Sequence, residues 1–352
     1  MTLPAGRILA LTVAGATAAA GLMAGLWRLG WSIPVGRILA ELHAPLMVCG
    51  ALGALIGIER AVAWRKGVFW LTPALGAVGT VLALAGWQSA AALTYGAGAF
   101  LFTVGCLIQV KAEPGAPSFG AAAAAASWTA GCFVWLTTGW VVAAGPWWLV
   151  FLVLTILSER LEMSRILAPA ASDRLFVAGT ALTLGSCWSG WQGAGETLAA
   201  VGLAVLTAAT LRGDVACLNI RREGAVRFYA ACMLTGYAWL ALASCILAFG
   251  LSLDAAVHAI TLGFVLSMIF GHAPIILPAV LRVRVRHERA LYSPLVLLQA
   301  GVAARVIGSV AGLQDLRLAS GAIVVTGIAC YAACLTWASN ARPRIVHGET
   351  QA

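Results

Sequence analysis

Long apolar runs separated by short polar segments follow one another along the whole chain. A helix needs about 20 apolar residues to cross the hydrocarbon core of a bilayer. The runs are continuous, as between Leu149 and Leu154, rather than alternating in period two, which excludes a membrane β-barrel. A hydrophobic share of 61% and a charged share of only 10% exclude an ordinary soluble protein. The sequence therefore predicts an all-α polytopic membrane protein.

About twelve such spans use up the chain of 352 residues and leave no room for a soluble domain. We therefore expect a single transmembrane helical domain over residues 1–352. The predicted spans lie near 7–27, 38–60, 68–86, 89–110, 119–143, 146–167, 175–191, 195–211, 228–250, 253–281, 291–312 and 317–338.

Lysines and arginines between the spans predict the orientation of the chain. After odd-numbered spans the only basic residues are Arg28, Arg37 and Arg317. Basic residues are enriched on the cytoplasmic side, so we expect both termini in the cytoplasm and a location in the cell inner membrane. The net charge of +9 reflects this pattern, and no nucleic-acid partner is predicted. Basic residues after even-numbered spans are Arg65, Lys66, Lys111, Arg174, Arg212, Arg221, Arg222, Arg227, Arg282, Arg284, Arg286 and Arg289.

Two histidines near the outer ends of spans 2 and 10 are the first site candidates, because ionisable groups inside a membrane are costly and usually functional. His43 and His258 each lie about five residues into their spans, which places both imidazoles about 7–8 Å below the outer edge of the hydrocarbon. Two imidazoles at one depth can clamp a metal ion or fill both axial positions of a haem. We predict one bis-histidine b-type haem near the outer face. The alternative is two unrelated histidines, each bonded to a neighbouring carbonyl.

Arg305 of span 11 lies near the level of these two histidines. A guanidinium forms two parallel hydrogen bonds with a carboxylate, so Arg305 is the predicted partner of a haem propionate. Two other roles are open, a side chain that reaches back to the membrane surface and a donor to helix carbonyls.

A third histidine, His272, lies 14 residues beyond His258, which corresponds to about 21 Å along a helix. The position 14 residues after His43 is Gly57, so a second bis-histidine haem lacks a ligand pair. His272 is a candidate ligand for copper or another metal, a candidate proton-handling group, or a hydrogen-bonded structural histidine. His287 and His347 fall in a polar loop and in the C-terminal tail.

Charged pairs lie toward the cytoplasmic ends of spans 2 and 6, as Glu59-Arg60 and Glu159-Arg160. Adjacent residues on a helix point about 100° apart, so we expect these groups to pair with other helices rather than with their neighbours. Ion pairs that fix helix packing are one interpretation. A route for proton uptake is the other.

Two short motifs surround the histidines of spans 2 and 10. They are His43-Ala44-Pro45-Leu46-Met47 and His258-Ala259 with Leu262-Gly263-Phe264, then Met268-Ile269 and Gly271. These motifs are similar to those of the NnrS family, multi-span proteins that contain haem and copper and are associated with nitric oxide metabolism. The number of spans and the positions of the histidines and Arg305 resemble the catalytic subunit of haem-copper oxidases. The resemblance implies an oxidase-like bundle with His43 and His258 as axial haem ligands and Arg305 as the propionate partner.

Spans 6 and 7 contain no histidine, so the binuclear centre of the oxidases has no ligand set and the chain is not a terminal oxidase. We expect electron transfer, with a redox partner protein, or the handling of nitric oxide or another small gas. A proton-coupled secondary transporter of a small anionic solute is the alternative, because Glu59, Glu159 and Arg305 are intramembrane charges. A factor that binds haem only during its delivery is a third hypothesis. Whether the protein is an enzyme and how it oligomerises stay open at this point.

Overall fold

The computed structural model describes residues 5–33, 37–165, 167, 170–281, 283 and 289–340. Within these ranges the chain is helical and contains no strand. The predicted all-α class is therefore confirmed. His287, His347, Arg282, Arg284 and Arg286 lie outside the described residues.

Twelve long helices occur in the described part of the chain, in the order of the predicted spans. Eleven of them are long and apolar enough to cross a membrane, as expected of a multi-pass membrane protein. The other, α7, has 17 residues and lies where the sequence predicts the seventh span. The helices are α1 (Ala5–Leu29), α2 (His43–Trp64), α3 (Gly67–Leu84), α4 (Gln88–Ala112), α5 (Ala116–Thr138), α6 (Val141–Met163), α7 (Ala170–Ser186), α8 (Ala194–Leu211), α9 (Gly224–Ala248), α10 (Leu253–Leu281), α11 (Arg289–Val310) and α12 (Gln314–Asn340).

The connection between α5 and α6 differs from the prediction, which placed the break near Pro146. Gly139 ends α5 in the left-handed region, with φ of 70°. Glycine reaches this conformation without strain and commonly ends helices for that reason. Pro146 instead lies inside α6, in its second turn.

Neighbouring helices pack as successive hairpins, and α12 returns to pack against α1. A buried aromatic core joins α4, α5 and α6, where Trp128 stacks on Phe151 with ring centroids 4.7 Å apart. The outer surfaces are apolar as well, since the side chains of Phe133 and Val142 are 64% and 78% exposed. Apolar surface of this extent is typical of a protein surrounded by lipid.

Helices α2 and α10 share an irregularity that the sequence analysis did not predict. A seven-residue π-helical segment follows His43-Ala44-Pro45 in α2, over Leu46–Leu52. Another of the same length follows His258 directly in α10, over Ala259–Val265. Such segments are rare and are frequent at functional sites, because they re-aim the side chains of the turn in which they occur. They therefore direct attention to the two histidines.

Candidate functional site

His43 begins α2 and lies against α1. Its Nδ1 is 2.8 Å from the carbonyl oxygen of Gly21. A carbonyl only accepts, so Nδ1 carries the proton and Nε2 presents a lone pair. The ring also lies close to Gly25, where an added Cβ would be 2.8 Å from His43 Cε1. The backbone of α1 thus fixes the orientation of this imidazole.

His258 is held in a similar way within α10. Its Nδ1 is 2.8 Å from the carbonyl oxygen of Asp254 and 3.3 Å from Oδ1 of the same residue. Its Nε2 has only a long contact of 3.5 Å with Nη2 of Arg305. Histidines that bind metals usually donate the proton of the other ring nitrogen to a carbonyl or carboxylate. Both imidazoles have this arrangement.

The two histidines lie at the same end of the bundle. The charges of His258, Arg28 and Arg305 are all close enough to act on His43. The π-helical segment of α2 packs on α1, whereas that of α10 packs on α9 and α11. Closer packing of α2 on α10 occurs between Gly53–Trp64 and Leu266–Leu281. At the level of the histidines, α2 and α10 therefore pack mainly on other helices.

Arg305 is buried beside His258, with its side chain 7% exposed. Its Nη2 donates to Oδ1 of Asp254 over 2.7 Å, and Ser309 donates to Oδ2 over 2.5 Å. Arg317 is the second cation here, with Nη2 3.9 Å from the same carboxylate. Among the described residues, Nε and Nη1 of Arg305 and Nε of Arg317 are buried without a hydrogen-bond partner. Buried donors without acceptors are costly, so these nitrogens favour a negatively charged or hydrogen-bond-accepting partner at this end of the bundle.

The charged pairs lie at the other end of the same helices. Arg60 of α2 pairs with Glu159 of α6, so these residues pair between helices, as the sequence predicts. Arg160 pairs with Asp214 through both nitrogens of its fork, with Nε 2.9 Å from Oδ2 and Nη2 bonded to Oδ1. Glu59 forms no hydrogen bond within the described part of the chain, although the charges of Glu159 and Arg60 act on it.

Asp214 is the centre of this second group, and its side chain is fully buried. Tyr237 donates to its Oδ2 over 2.7 Å, and the backbone N–H of Ala216 donates to its Oδ1 over 2.8 Å. A buried carboxylate with this many donors holds its helices in one arrangement.

His272 lies with this second group and not with the other two histidines. Its Nδ1 is 2.9 Å from the carbonyl oxygen of Met268, and the charges of Glu159, Arg160 and Asp214 act on it. Its Nε2 is buried and has no partner among the described residues. Within those residues no three His, Cys, Asp or Glu side chains come together as a metal site. Among the described residues, His272 is therefore not part of a metal site with three such ligands.

Sequence reasoning missed Asp254 and Asp214, which organise the two groups. A signal existed for Asp254, because residues four apart lie on one helix face and His258 follows it by four. No local signal existed for Asp214, which follows α8 in a polar segment and is buried by contacts with α6 and α9.

Comparison with known protein families relates the chain to one that has been described. No curated protein matches it. A family described as a domain of unknown function, DUF8744, matches residues 7–340, which include nearly all of the helices described above. The chain therefore belongs to the DUF8744 family.

Proposed function

We propose that this chain is a haem-binding integral membrane protein that serves in electron transfer, with one b-type haem between His43 and His258. One observation carries the proposal. At one end of the bundle, two imidazoles from α2 and α10 are each fixed through Nδ1 to a backbone carbonyl, so that Nε2 of each ring carries the lone pair that binds iron. Nε2 of His258 has only the long contact with Arg305.

The neighbouring residues fit the same group. Nε and Nη1 of Arg305 have no partner among the described residues, so each of them can donate a single hydrogen bond to a propionate oxygen. Asp254 holds the remaining nitrogen of Arg305 and also lies beside Nδ1 of His258. It therefore positions both residues, so that the cation and the ligand act as one unit.

Electron transfer follows more directly from this arrangement than gas binding. A haem with two histidine ligands supplies one-electron transfer. Because both histidines are held from behind by the backbone, neither leaves readily to admit nitric oxide or another small gas. The proposal includes a relationship to the NnrS family and an oxidase-like helix bundle. It also places the protein in the inner membrane, with the end that carries His43 and His258 facing outward.

The visible spectrum of the detergent-purified full chain, oxidised and then reduced with dithionite, tests the proposal. It is combined with a pyridine haemochrome count of haem per chain. We expect sharp α and β bands on reduction and about one haem per chain. A folded protein that is colourless after expression with ample haem would contradict the proposal.

A proton-coupled transporter of a small anionic solute is the second candidate. Five charged side chains within or beside the apolar helices favour it, because such groups commonly mark ion and proton pathways. Solute uptake into proteoliposomes driven by a proton gradient, by protein free of haem, would favour this candidate over the first. The five are Glu59, Arg60, Glu159, Arg160 and Asp214.

A further inference from the structure

Two arginines flank one carboxylate at the histidine end, the end of the bundle that carries His43 and His258. Arg305 of α11 donates through Nη2 to Oδ1 of Asp254 over 2.7 Å, and Nη2 of Arg317 of α12 lies 3.9 Å from Oδ2. Oδ2 also accepts a hydrogen bond of 2.5 Å from Ser309. The carboxylate thus faces only the Nη2 atoms of the two guanidinium groups.

Three other nitrogens of these two groups are buried without an acceptor among the described residues. They are Nε and Nη1 of Arg305 and Nε of Arg317. The side chain of Arg305 is only 7% exposed, so bulk water has little access to its donors. A guanidinium does not lose its charge, and each buried donor without an acceptor costs about 1–3 kcal/mol. The three nitrogens therefore favour an acceptor that the described residues do not provide.

Arg317 is held in place through another of its nitrogens. Its Nη1 donates to Oε1 of Gln314 over 3.2 Å, and Nε2 of Gln314 donates to the carbonyl oxygen of Leu29 over 3.0 Å. The second bond brings the end of α1, where Arg28 lies in the last turn, to the beginning of α12. Arg28 is thus a third cation in this region, and its charge acts on Arg305. Clustered cations attract anions.

The two arginines are accessible from the end of the bundle. Asp254 lies in the first turn of α10 and its side chain is 38% exposed, while that of Arg317 is 32% exposed. Arg305 lies deeper, beside His258. An anion that approaches Asp254 from the aqueous side therefore meets Arg317 first and Arg305 behind it.

We propose that Arg305 and Arg317 form a binding site for a small oxyanion, a carboxylate or a phosphate, which accepts hydrogen bonds from their unbonded nitrogens. An oxyanion is favoured over a neutral acceptor because hydrogen bonds between charged groups are stronger and because it balances the clustered cations. The oxyanion belongs to a free solute, to a lipid headgroup or to haem. The site rests on the proposed function only where haem is the source.

Binding of radiolabelled phosphate and acetate to the haem-free full chain, in a maltoside detergent at constant ionic strength, tests the site. We expect saturable binding of at least one of the two probes. Arg317→Gln should weaken it about tenfold, because a charged donor is lost. Arg165→Gln is the matched control at the charged end, where Arg60 and Arg160 lie, and should bind as the wild type does. No saturable binding of either probe, or wild-type affinity in Arg317→Gln, would overturn the proposal.

Arg317→Lys separates hydrogen bonding from charge. It retains the cation but lacks Nε, so it should bind the probes more weakly than the wild type, and equal affinity would overturn the role of Nε. If Arg317→Gln does not fold, thermal unfolding decides. A ligand that binds the native state raises the unfolding midpoint, so phosphate should raise it more in the wild type than in Arg317→Lys. Equal rises would reflect only the general stabilising effect of phosphate and would contradict the site.

Two further measurements identify the source of the oxyanion, and each of their outcomes is compatible with the site. Binding in detergent that is blocked in nanodiscs of phosphatidylcholine would identify a lipid phosphate. Displacement of the label by added haem would identify a haem carboxylate. A label that persists in both identifies a free solute. Phosphate binding by a chain that takes up no haem would refute the proposed function and leave the site intact, so the two failures are distinguishable.

Discussion

The two ends of the bundle hold unmet charges of opposite sign. At the histidine end, Arg305 and Arg317 share the carboxylate of Asp254, and three of their nitrogens have no partner among the described residues. At the other end, Arg60 pairs with Glu159 and Arg160 pairs with Asp214. The first end therefore suits an anionic ligand such as a haem carboxylate. At the second end, the carboxyl group of Glu59 is left outside the two ion pairs.

The comparison also separates two uses of histidine within one helix. His258 and His272 lie on α10 and both bond through Nδ1 to the carbonyl four residues before them. Their chemistry differs because of what surrounds Nε2. Nε2 of His258 contacts the guanidinium of Arg305, whereas the charges of Glu159, Arg160 and Asp214 act on His272. The neighbours of an intramembrane histidine therefore indicate its role better than its own hydrogen bond does.

The largest difference between the two ends is expected in haem retention. His43→Ala and His258→Ala should each abolish it, because each removes a proposed haem ligand, while His272→Ala should leave the reduced spectrum intact. Haem per chain after purification, from the pyridine haemochrome, measures the effect. Equal losses from all three variants would erase the distinction between the ends.

The next effect concerns stability, which we assign mainly to the charged end. Asp214→Asn leaves the buried Arg160 without its partner, and breaking a buried ion pair destabilises a protein by about 3–5 kcal/mol. Glu162→Gln is the matched control, since it breaks an exposed pair with Arg165 that contributes about 1 kcal/mol or less. Denaturant unfolding in detergent compares them. Equal destabilisation would mean that the Arg160–Asp214 pair does not hold the bundle together.

A smaller effect is expected where α1 supports His43. Gly25→Ala places a Cβ 2.8 Å from the imidazole, and overpacking of this kind costs about 1–3 kcal/mol. It should displace the ring and lower haem retention, whereas Gly15→Ala, with open space around its Cβ, should not. Titration of the two purified variants with haem measures the difference in their haem affinity. Matching affinities would argue against the observed position of His43.

The smallest effect is expected for the arginine that faces the histidines. Arg305→Leu should weaken haem binding about tenfold, in line with the loss of one hydrogen bond to a charged group. Arg165→Leu, at an exposed position of the other end, is the control. Unchanged affinity and an unchanged midpoint potential would show that Arg305 does not contact the haem.

The fold class followed from the sequence because apolar runs long enough to cross a bilayer leave few alternatives. Helix rise alone also predicted a common level for His43, His258 and Arg305, which the structure places at one end. The π-helical segments could not be predicted, because one extra residue per turn leaves no compositional trace. Asp214 was missed since its burial depends on α6 and α9, which are distant in sequence.

The central claim is that His43 and His258 bind the same iron. The most direct test is the electron paramagnetic resonance spectrum of the oxidised, purified protein, recorded for the wild type and for His43→Met. We predict a low-spin ferric signal with two imidazole ligands in the wild type, and a different low-spin or a high-spin signal in the variant. A high-spin signal in the wild type, or a spectrum that the substitution leaves unchanged, would contradict the claim.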